Sequence, residues 1–405
     1  MDVVFLSPSY PPEMAQFTRG LAEVGARVHG VGDTPYAGLP ESLRRHLSSY
    51  LHVPDMGDAA GVRSRVLGWL DGRRPDRIEA AWEPVMTLAA RLRADRGLSG
   101  MSEDAVIGFR DKPTMRGRVA AAGLRVPRSV RVRTRAEAHA AAAAMGFPVV
   151  LKPVDGAGSA DTFRCDDPSE LTAALHASAH VPEASVEEFI TGEELTYETL
   201  CIDGVPVYES VCRYEPSALV ARKNEWISPI IQSFRSVDDP WVADGVALGR
   251  HVLKALGMGT GFTHMEWFRL PSGEPVFGEI ACRPPGANMV DLMNYSDDGD
   301  LFREWARVVC HRRFEGVRQR PWSAAIVFKR AVGQGRIRAY EGLDSFLARH
   351  HAHVARIDLL PPGAPRRDWR QTFLSDGNLV VRTPDMGATI DLAREAAAAI
   401  TLRAG

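Results

Sequence analysis

The chain has 405 residues, which is enough for two or three domains and too many for one ordinary hydrophobic core. Hydrophobic residues make up 45% and charged residues 25%, as in an average globular protein. The formal net charge of −2 argues against a general nucleic-acid partner. No apolar run approaches the roughly 20 residues that cross a bilayer. Composition therefore predicts neither a nucleic-acid nor a membrane partner.

The cysteines and the N-terminus predict a reducing, cytoplasmic setting. Five cysteines are scattered along the chain without any CxxC spacing, at Cys165, Cys201, Cys212, Cys282 and Cys310. An odd, dispersed set favours neither a disulfide framework nor a zinc site. The N-terminal stretch 1–8 carries an acid at position 2 and no basic region, so it is interpreted as a β-strand and not as a signal peptide.

The first hundred residues alternate strand and helix patterns. Strands are predicted at 3–6, 26–31 and 77–82, and helices at 14–24, 63–70 and 84–96. This order predicts an α/β domain with a doubly wound parallel sheet over residues 1–100. No GxGxxG follows the first strand, which disfavours a dinucleotide site there.

The rest of the chain has a mixed α+β pattern. Within residues 101–320, a helix is predicted at 111–123, an alanine-rich helix at 136–145, and strands at 128–132, 149–152, 185–190, 196–202 and 205–212. A third unit is predicted to begin near residue 321. It has strands at 324–330 and 380–383 and helices at 342–350 and 391–402.

A lysine followed by a glycine-bearing turn indicates phosphate binding. Lys152 ends a strand, and Asp155-Gly156-Ala157-Gly158-Ser159 follows it. Glycines let backbone N–H groups approach a phosphate, and a nearby lysine supplies positive charge. This pattern is common in unrelated proteins, so the interpretation depends on the motifs around it.

Two glutamates further along the chain predict a metal site. Glu266 and Glu279 flank a predicted hairpin turn at 271–275. Paired strands can place both carboxylates on one face, with Cβ atoms about 5 Å apart. Two carboxylates that close repel each other unless a cation lies between them, and magnesium satisfies this requirement. The alternative is a pair that points to opposite faces as solvated charges.

In their order and spacing, these motifs resemble the ATP-grasp superfamily along the whole chain. The specific ones are Glu-Glu-Phe-Ile-Thr-Gly-Glu-Glu at 187–194 and Glu-Ile-Ala-Cys-Arg-Pro-Pro-Gly at 279–286. The second is most similar to carboxylate–amine ligases of the bacilysin-type L-amino-acid ligase and carnosine synthase group. The resemblance implies a pre-ATP-grasp domain (1–100), a two-lobed ATP-grasp domain (101–320) and a small C-terminal α+β domain (321–405).

The resemblance also implies which residues bind the nucleotide. Lys112 and Lys152 would neutralise the α- and β-phosphates, and the turn with Gly156, Gly158 and Ser159 would close over the triphosphate. The segment Glu187, Glu188, Phe189 and Ile190 would read adenine through the carbonyl of 188 and the amide of 190. Glu194 would accept hydrogen bonds from the ribose hydroxyls.

Roles at the reacting end follow in the same way. Glu266 and Glu279 would hold magnesium, for which manganese can substitute, and Arg283 would hold the γ-phosphate and the acyl phosphate. Many ATP-grasp enzymes have asparagine two residues after the second metal-binding glutamate. Here that position is Ala281, which puts a third metal ligand in doubt.

Two further residues have open alternatives. His264 lies two residues before Glu266 on the same strand face, as either a substrate or phosphate contact or a hydrogen-bonded core histidine. Glu83 follows a predicted strand at the carboxyl end of the N-terminal sheet, where open α/β sheets gather ligands. It could bind the incoming amine.

The leading interpretation is therefore an ATP-dependent carboxylate–amine ligase. It would form an amide through an acyl phosphate, release ADP and phosphate, and act on small molecules, an amino acid among them. One alternative is a formate- or bicarbonate-activating ATP-grasp enzyme. Another is a nucleotide-binding regulatory protein without catalytic activity. A homodimer is compatible with any of these interpretations.

Overall fold

A computed structural model describes residues 1–154, 161–317, 319–370, 372 and 374–405 of the chain. The predicted turn with Gly156, Gly158 and Ser159 lies outside these described residues. Among them, no helix is long and apolar enough to cross a membrane.

The N-terminal part is a parallel sheet with helices between its strands. Its elements are β1 (Asp2–Leu6), α1 (Met14–Glu23), β2 (Arg27–Gly32), α2 (Glu41–Arg44), β3 (Ser49–His52), α3 (Ala59–Trp69), β4 (Arg77–Ala80) and α4 (Met86–Arg96). The strands are parallel in the order β3-β2-β1-β4. The strand order reverses beside β1, so the carboxyl ends of β1 and β4 form the kind of crevice that holds ligands in open α/β sheets.

A small antiparallel sheet follows. Its region contains α5 (Glu103–Gly108), α6 (Lys112–Ala121), β5 (Ser129–Val132), α7 (Arg135–Met145), β6 (Val149–Pro153), β7 (Phe163–Cys165), α8 (Pro168–Ala177) and β8 (Ala184–Glu188). The strand order is β5-β8-β6-β7. One face packs on α7 and α8 through residues such as Val149, Leu151 and Val186. The opposite face carries Lys152 and Glu187, and is therefore available to a ligand.

An eight-stranded antiparallel sheet forms the centre of the molecule. Its elements up to residue 311 are β9 (Glu193–Ile202), β10 (Val205–Glu215), α9 (Ala218–Lys223), β11 (Ile230–Ser233), α10 (Ala243–Leu256), β12 (Gly261–Arg269), β13 (Pro275–Ala281), α11 (Met289–Asp297) and α12 (Leu301–His311). The remaining elements are β14 (Ser323–Phe328), β15 (Ile337–Glu341), α13 (Leu343–His350), β16 (Val354–Leu359), β17 (Gly377–Thr383), α14 (Met386–Ala399) and β18 (Thr401–Ala404). The order of the large sheet is β13-β12-β9-β10-β11-β14-β17-β16.

This arrangement confirms the predicted fold class, a parallel α/β sheet joined to antiparallel α+β units. Three C-terminal strands, β14, β16 and β17, continue the large sheet, while β15 and β18 pair separately. The division at residues 100 and 320 remains a prediction, because the sheet runs past residue 320 without interruption.

The N-terminal sheet is held against the large sheet by close packing of α1 on α12. Phe17 meets the rings of Phe302 and Trp305 edge to face, with centroids 4.9 and 5.1 Å away. A Cβ on Gly20 would lie 2.5 Å from the carbonyl oxygen of Phe302, so this contact requires glycine. Arg19 donates to both carboxylate oxygens of Asp300 at 2.9 and 3.1 Å.

Several elements are missing from the sequence-based prediction or lie at other bounds, and β3 and α14 illustrate the two cases. The pattern of 49–52 does not reveal β3, because its four residues are only partly buried and lack clear alternation. The closing helix is predicted at 391–402, whereas α14 occupies Met386–Ala399 and β18 follows it. Asp385 caps the earlier start by accepting from the Ala388 N–H, and Leu402 pairs with β15 through Tyr340.

We predict that Gly245→Ala destabilises the protein by about 1–3 kcal/mol, the usual cost of overpacking a core. Gly245 lies in α10, and an added Cβ would lie 2.2 Å from Cη2 of the buried Trp267 ring on β12. Gly68→Ala is the control, since no heavy atom lies within 4 Å of its added Cβ in α3. Denaturant unfolding should show Gly68→Ala neutral or stabilising by about 0.5–1 kcal/mol. Equal effects of both variants would contradict the packing assignment.

Candidate active site

The two predicted metal-binding carboxylates are direct cross-strand partners. Glu266 on β12 is in register with Glu279 on β13, so both side chains lie on the same face of the sheet. The next register pair is Trp267 with Phe277, which leaves Gly278 as the extra residue of a β-bulge. A Cβ at Gly278 would lie 2.7 Å from the Glu266 carbonyl oxygen, so only glycine allows this approach. Side-chain exposures of 30% and 39% leave Glu266 and Glu279 open to a ligand.

A third carboxylate, Glu194, shares this face. It lies on β9 two residues before Thr196, the β9 partner of Glu266. Its Oε2 accepts a hydrogen bond of 3.0 Å from the Ala218 N–H at the start of α9. Burial and the negative charge of Glu266 raise the pKa of Glu194 to about 8. Burial is the larger cause of this shift, and the repulsion between Glu194 and Glu266 adds to it, so a cation at this face would be favoured.

The predicted phosphate lysines approach this face from the other side of the cleft. Lys112 begins α6, whose N-cap Asp111 accepts from the Thr114 N–H at 2.8 Å. The Nζ atom of Lys112 lies 3.1 Å from Oε2 of Glu279. Burial would raise the pKa of Glu279, but the charges of Lys112 and Lys152 hold it below the ordinary value.

Lys152 is held in place by an ion-paired carboxylate. Its Nζ lies 2.8 Å from Oε2 of Glu187 on the neighbouring strand, and Arg116 pairs with the same carboxylate. Ser185 Oγ donates to Glu187 at 2.7 Å. Burial opposes ionisation of Glu187, yet Lys152 and Arg116 lower its pKa to about 2. The Glu187 side chain therefore orients Lys152, while burial lowers the pKa of Lys152 itself.

A cavity of about 360 Å³ lies beside these residues. It extends between α6 and the open face of the small sheet, and its polar lining includes Lys112, Arg116, Arg131, Ser185 and Glu187. This volume and basic lining suit part of a nucleotide. A smaller cavity of about 40 Å³ lies under Arg283, between β4 and the hairpin strands, and its size suits ordered water better than a substrate.

The segment predicted to read adenine begins at the end of β8 and continues beyond the small sheet. β8 ends at Glu188, whose carboxylate accepts from Arg125 at 2.7 Å and from the Arg128 N–H at 3.1 Å. The Arg164 guanidinium lies 4.4 Å from the Phe189 ring centroid. Among the described residues, the Ile190 N–H has no hydrogen-bond acceptor, so it remains able to donate to a base.

Arg283 and Glu83 meet although 200 residues separate them. Arg283 Nε donates to Oε2 of Glu83 at 2.9 Å, and its Nη1 donates to the Pro284 carbonyl at 2.9 Å. Glu83 begins a 3-10 turn just past β4, at the crevice of the parallel sheet. The structure thus brings the predicted amine-binding and phosphate-binding residues into one ion pair.

His264 contacts two carboxylates. Its Nδ1 lies 2.9 Å from Oε1 of Glu198, and its Nε2 lies 3.7 Å from Oε1 of Glu266. Burial opposes the charged ring, but Glu198 and Glu266 outweigh burial and raise the pKa of His264 to about 9. Glu198 is not among the site residues predicted from the sequence, although the alternation of Glu194, Thr196 and Glu198 along one strand places all three on one face.

The residues present fit a nucleotide-bound magnesium ion. No group of three or more His, Cys, Asp or Glu side chains arranged to hold a metal occurs in the part of the chain that the structure describes. Two aligned carboxylates are the typical protein share of a magnesium site whose other ligands are phosphate oxygens and water. Glu266 and Glu279 would hold such an ion.

Comparison with known proteins supports the same class. Residues 111–197 match the family model for the carbamoyl-phosphate synthase L chain, ATP binding domain. An L-arginine-specific L-amino acid ligase from Bacillus subtilis is 26% identical over 76% of this chain and 75% of that protein. A formate-dependent phosphoribosylglycinamide formyltransferase from Methylococcus capsulatus is 24% identical over 89% of this chain and 91% of that protein.

The fold comparison covers nearly the whole molecule. The crystal structure of an L-amino acid ligase from Bacillus licheniformis superposes with a TM-score of 0.78, covering 99% of this chain and 98% of the other, at 18% identity. The comparisons confirm the predicted resemblance to ATP-grasp ligases, and residues 111–197 match an ATP-binding domain. The predicted resemblance to the carboxylate–amine ligases of that class is likewise confirmed.

We predict that Glu194→Gln makes the stability of the ligand-free protein less dependent on pH. Glu194 has a folded-state pKa raised from 4.5 to about 8. Its contribution to stability is therefore fully present below pH 4.5 and is lost as the pH rises from there to about 8. Thermal unfolding between pH 6 and 9 should show a steeper decline for the native chain than for the variant. Parallel pH profiles would contradict the assignment.

Proposed function

We propose that this ATP-grasp ligase is a magnesium-dependent carboxylate–amine ligase with an amino acid as one substrate. It joins a carboxylate to an amine as an amide through an acyl phosphate and releases ADP and phosphate. The observation that carries this proposal is the register pair Glu266–Glu279, facing Lys112 and beside the Arg283–Glu83 ion pair. Nucleotide binding alone would not require all of these charges.

The chain supplies charge at each position where phosphoryl transfer needs it. Lys112 and Lys152 neutralise the phosphates. Glu266 and Glu279 would hold magnesium, which would supply Lewis-acid charge for the transfer. The Arg283 side chain, just past β13, breaks its ion pair with Glu83 and stabilises the transferring phosphoryl group. Glu83 then binds the ammonium group of the amine substrate, in the crevice beside β1 and β4.

A second candidate is activation of formate or bicarbonate. It is supported by the similarity to the Methylococcus capsulatus formyltransferase, which spans more of the chain than the amino acid ligase match. The Glu-Ile-Ala-x-Arg form at 279–283 favours the ligase. A homodimer and a cytoplasmic location remain predictions from the sequence.

Substrate identity is tested by measuring ADP release with pairs of amino acids, and with formate or bicarbonate in place of the acid. Mass spectrometry of the products should find a dipeptide for an active pair. ADP release with formate or bicarbonate alone would favour the second candidate. The Glu266→Gln variant is the control for contaminating ATPase activity.

We predict that Lys152→Met lowers nucleotide affinity by about 1.5–3 kcal/mol, the scale of a hydrogen bond to a charged group. The loss follows from removing the cation that Glu187 orients across the small sheet. Calorimetry with a non-hydrolysable ATP analogue measures it. Lys254→Met, at the exposed end of α10, is the matched control and should leave the affinity unchanged. Equal affinities of both variants would contradict the phosphate role.

We predict that Arg283→Ala and Glu83→Gln affect different steps. Arg283→Ala should slow phosphate release by about 10²–10³-fold, as for other lost transition-state donors. Glu83→Gln should preserve slow phosphate release with acid alone and lose the acceleration by amine. Rapid-quench assays with and without the amine distinguish these steps. Identical behaviour of both variants would show that the ion pair serves structure alone.

We predict that oxygen-18 supplied in the substrate carboxylate appears in the released phosphate. The carboxylate oxygen attacks the γ-phosphorus, and amine attack on the acyl carbon then expels phosphate with that oxygen. Mass spectrometry of the phosphate detects the label. Label in AMP would instead indicate an adenylate and contradict the acyl phosphate.

A further inference from the structure

A buried carboxylate that the proposed mechanism does not use lies behind the carboxylate pair. Glu198 on β9 has no solvent exposure, and its Oε1 is 2.9 Å from His264 Nδ1. Among the described residues, its Oε2 has no hydrogen-bond partner. Burying a carboxylate is costly unless a donor compensates it, so the imidazole is the group that makes Glu198 tolerable here.

Strand register connects the contact between Glu198 and His264 to the carboxylate pair Glu266–Glu279. His264 is the direct cross-strand partner of Glu198, just as Glu266 is the partner of Glu279 on the opposite edge of β12. His264 and Glu266 are two residues apart on β12 and therefore share a face. These side chains form a row that runs from Glu198 through His264 and Glu266 to Glu279.

The imidazole is oriented by its buried neighbour. With Nδ1 bonded to Glu198, the opposite ring nitrogen Nε2 lies 3.7 Å from Oε1 of Glu266. That distance is an ion-pair contact and too long for a hydrogen bond. The His264 side chain is only 11% exposed, and each ring nitrogen already faces a carboxylate. A direct substrate contact would have to break one of these pairings.

We propose that Glu198 and His264 are positioning residues that hold the Glu266 carboxylate in the orientation that binds the nucleotide's magnesium. This inference rests on the proposed function for the assignment of Glu266 as a metal ligand. It assigns His264 a structural partner in Glu198 and a functional target in Glu266, in place of a substrate contact. Outer carboxylate–histidine partners commonly fix metal ligands, and their loss typically lowers metal affinity 10–100-fold.

The test measures Mn²⁺ binding directly, by electron paramagnetic resonance with a non-hydrolysable ATP analogue. His264→Ala should weaken nucleotide-dependent Mn²⁺ binding about 10–100-fold. Affinity for the nucleotide without metal should stay nearly constant. Because His264→Ala leaves Glu198 buried without a donor, the double variant Glu198→Gln/His264→Gln provides two neutral amides that can pair. It should also lose Mn²⁺ affinity while remaining folded by circular dichroism.

His29→Gln is the matched control. His29 in the N-terminal sheet has a similar carboxylate contact, with its Nε2 2.8 Å from Oδ1 of Asp2. Both residues are distant in sequence from Glu266 and Glu279. The His29→Gln variant should lose some stability but keep its Mn²⁺ affinity. It therefore separates a general loss of stability from an effect on the metal site.

Three outcomes would overturn the proposal in distinguishable ways. Unchanged Mn²⁺ affinity in the His264 variants, with loss in Glu266→Gln, would overturn the positioning role and leave the proposed function intact. Nitrogen couplings to Mn²⁺ in the native chain, absent in His264→Ala, would show direct ligation instead of positioning. No nucleotide-dependent Mn²⁺ binding by the native chain would overturn the metal site of the proposed function, and the positioning role with it.

Discussion

The register between β12 and its two neighbours is the constraint on which the site depends. In one register, Glu266 faces Glu279 on β13 and Thr196 on β9, and His264 faces Glu198. A slip of one residue would turn these side chains into the apolar core and expose Met265 and Trp267. The rings of Trp267 and Tyr197 pack so closely against the helix α10 that a Cβ at Gly245 or at Gly249, respectively, would overlap them. The apolar face of the sheet therefore fixes the polar face.

The charges of the site are balanced across a cleft and not within a single strand. Carboxylates predominate on the large sheet, and lysines approach from α6 and the small sheet. Glu279 has Lys112 as a partner, while burial and the nearby charge of Glu266 raise the pKa of Glu194. Under the proposed function, a nucleotide with its metal would add both signs of charge where the protein already separates them.

Packing of the N-terminal sheet against the large sheet determines which side chains lie near Arg283. The contact of Gly20 with Phe302 brings α1 and α12 together without intervening side chains. As a consequence, the carboxyl ends of β1 and β4 open toward the hairpin strands, and Glu83 reaches Arg283. A ligand entering this crevice would contact both units of the molecule, which suits a reaction between two substrates.

The sequence by itself determined what depends on short spacing. Amphipathic patterns predicted most of the strands and about half of the helices, and the cap at Asp111 begins α6. The hairpin brings Glu266 and Glu279 together because only a few residues separate their strands. Tertiary structure alone decided the ion pairs of Glu187 with Lys152, Glu198 with His264 and Glu83 with Arg283. It also decided that the C-terminal strands continue the large sheet. These contacts join segments from 35 to 200 positions apart, where strand register and helix packing set the distance and no local periodicity records it.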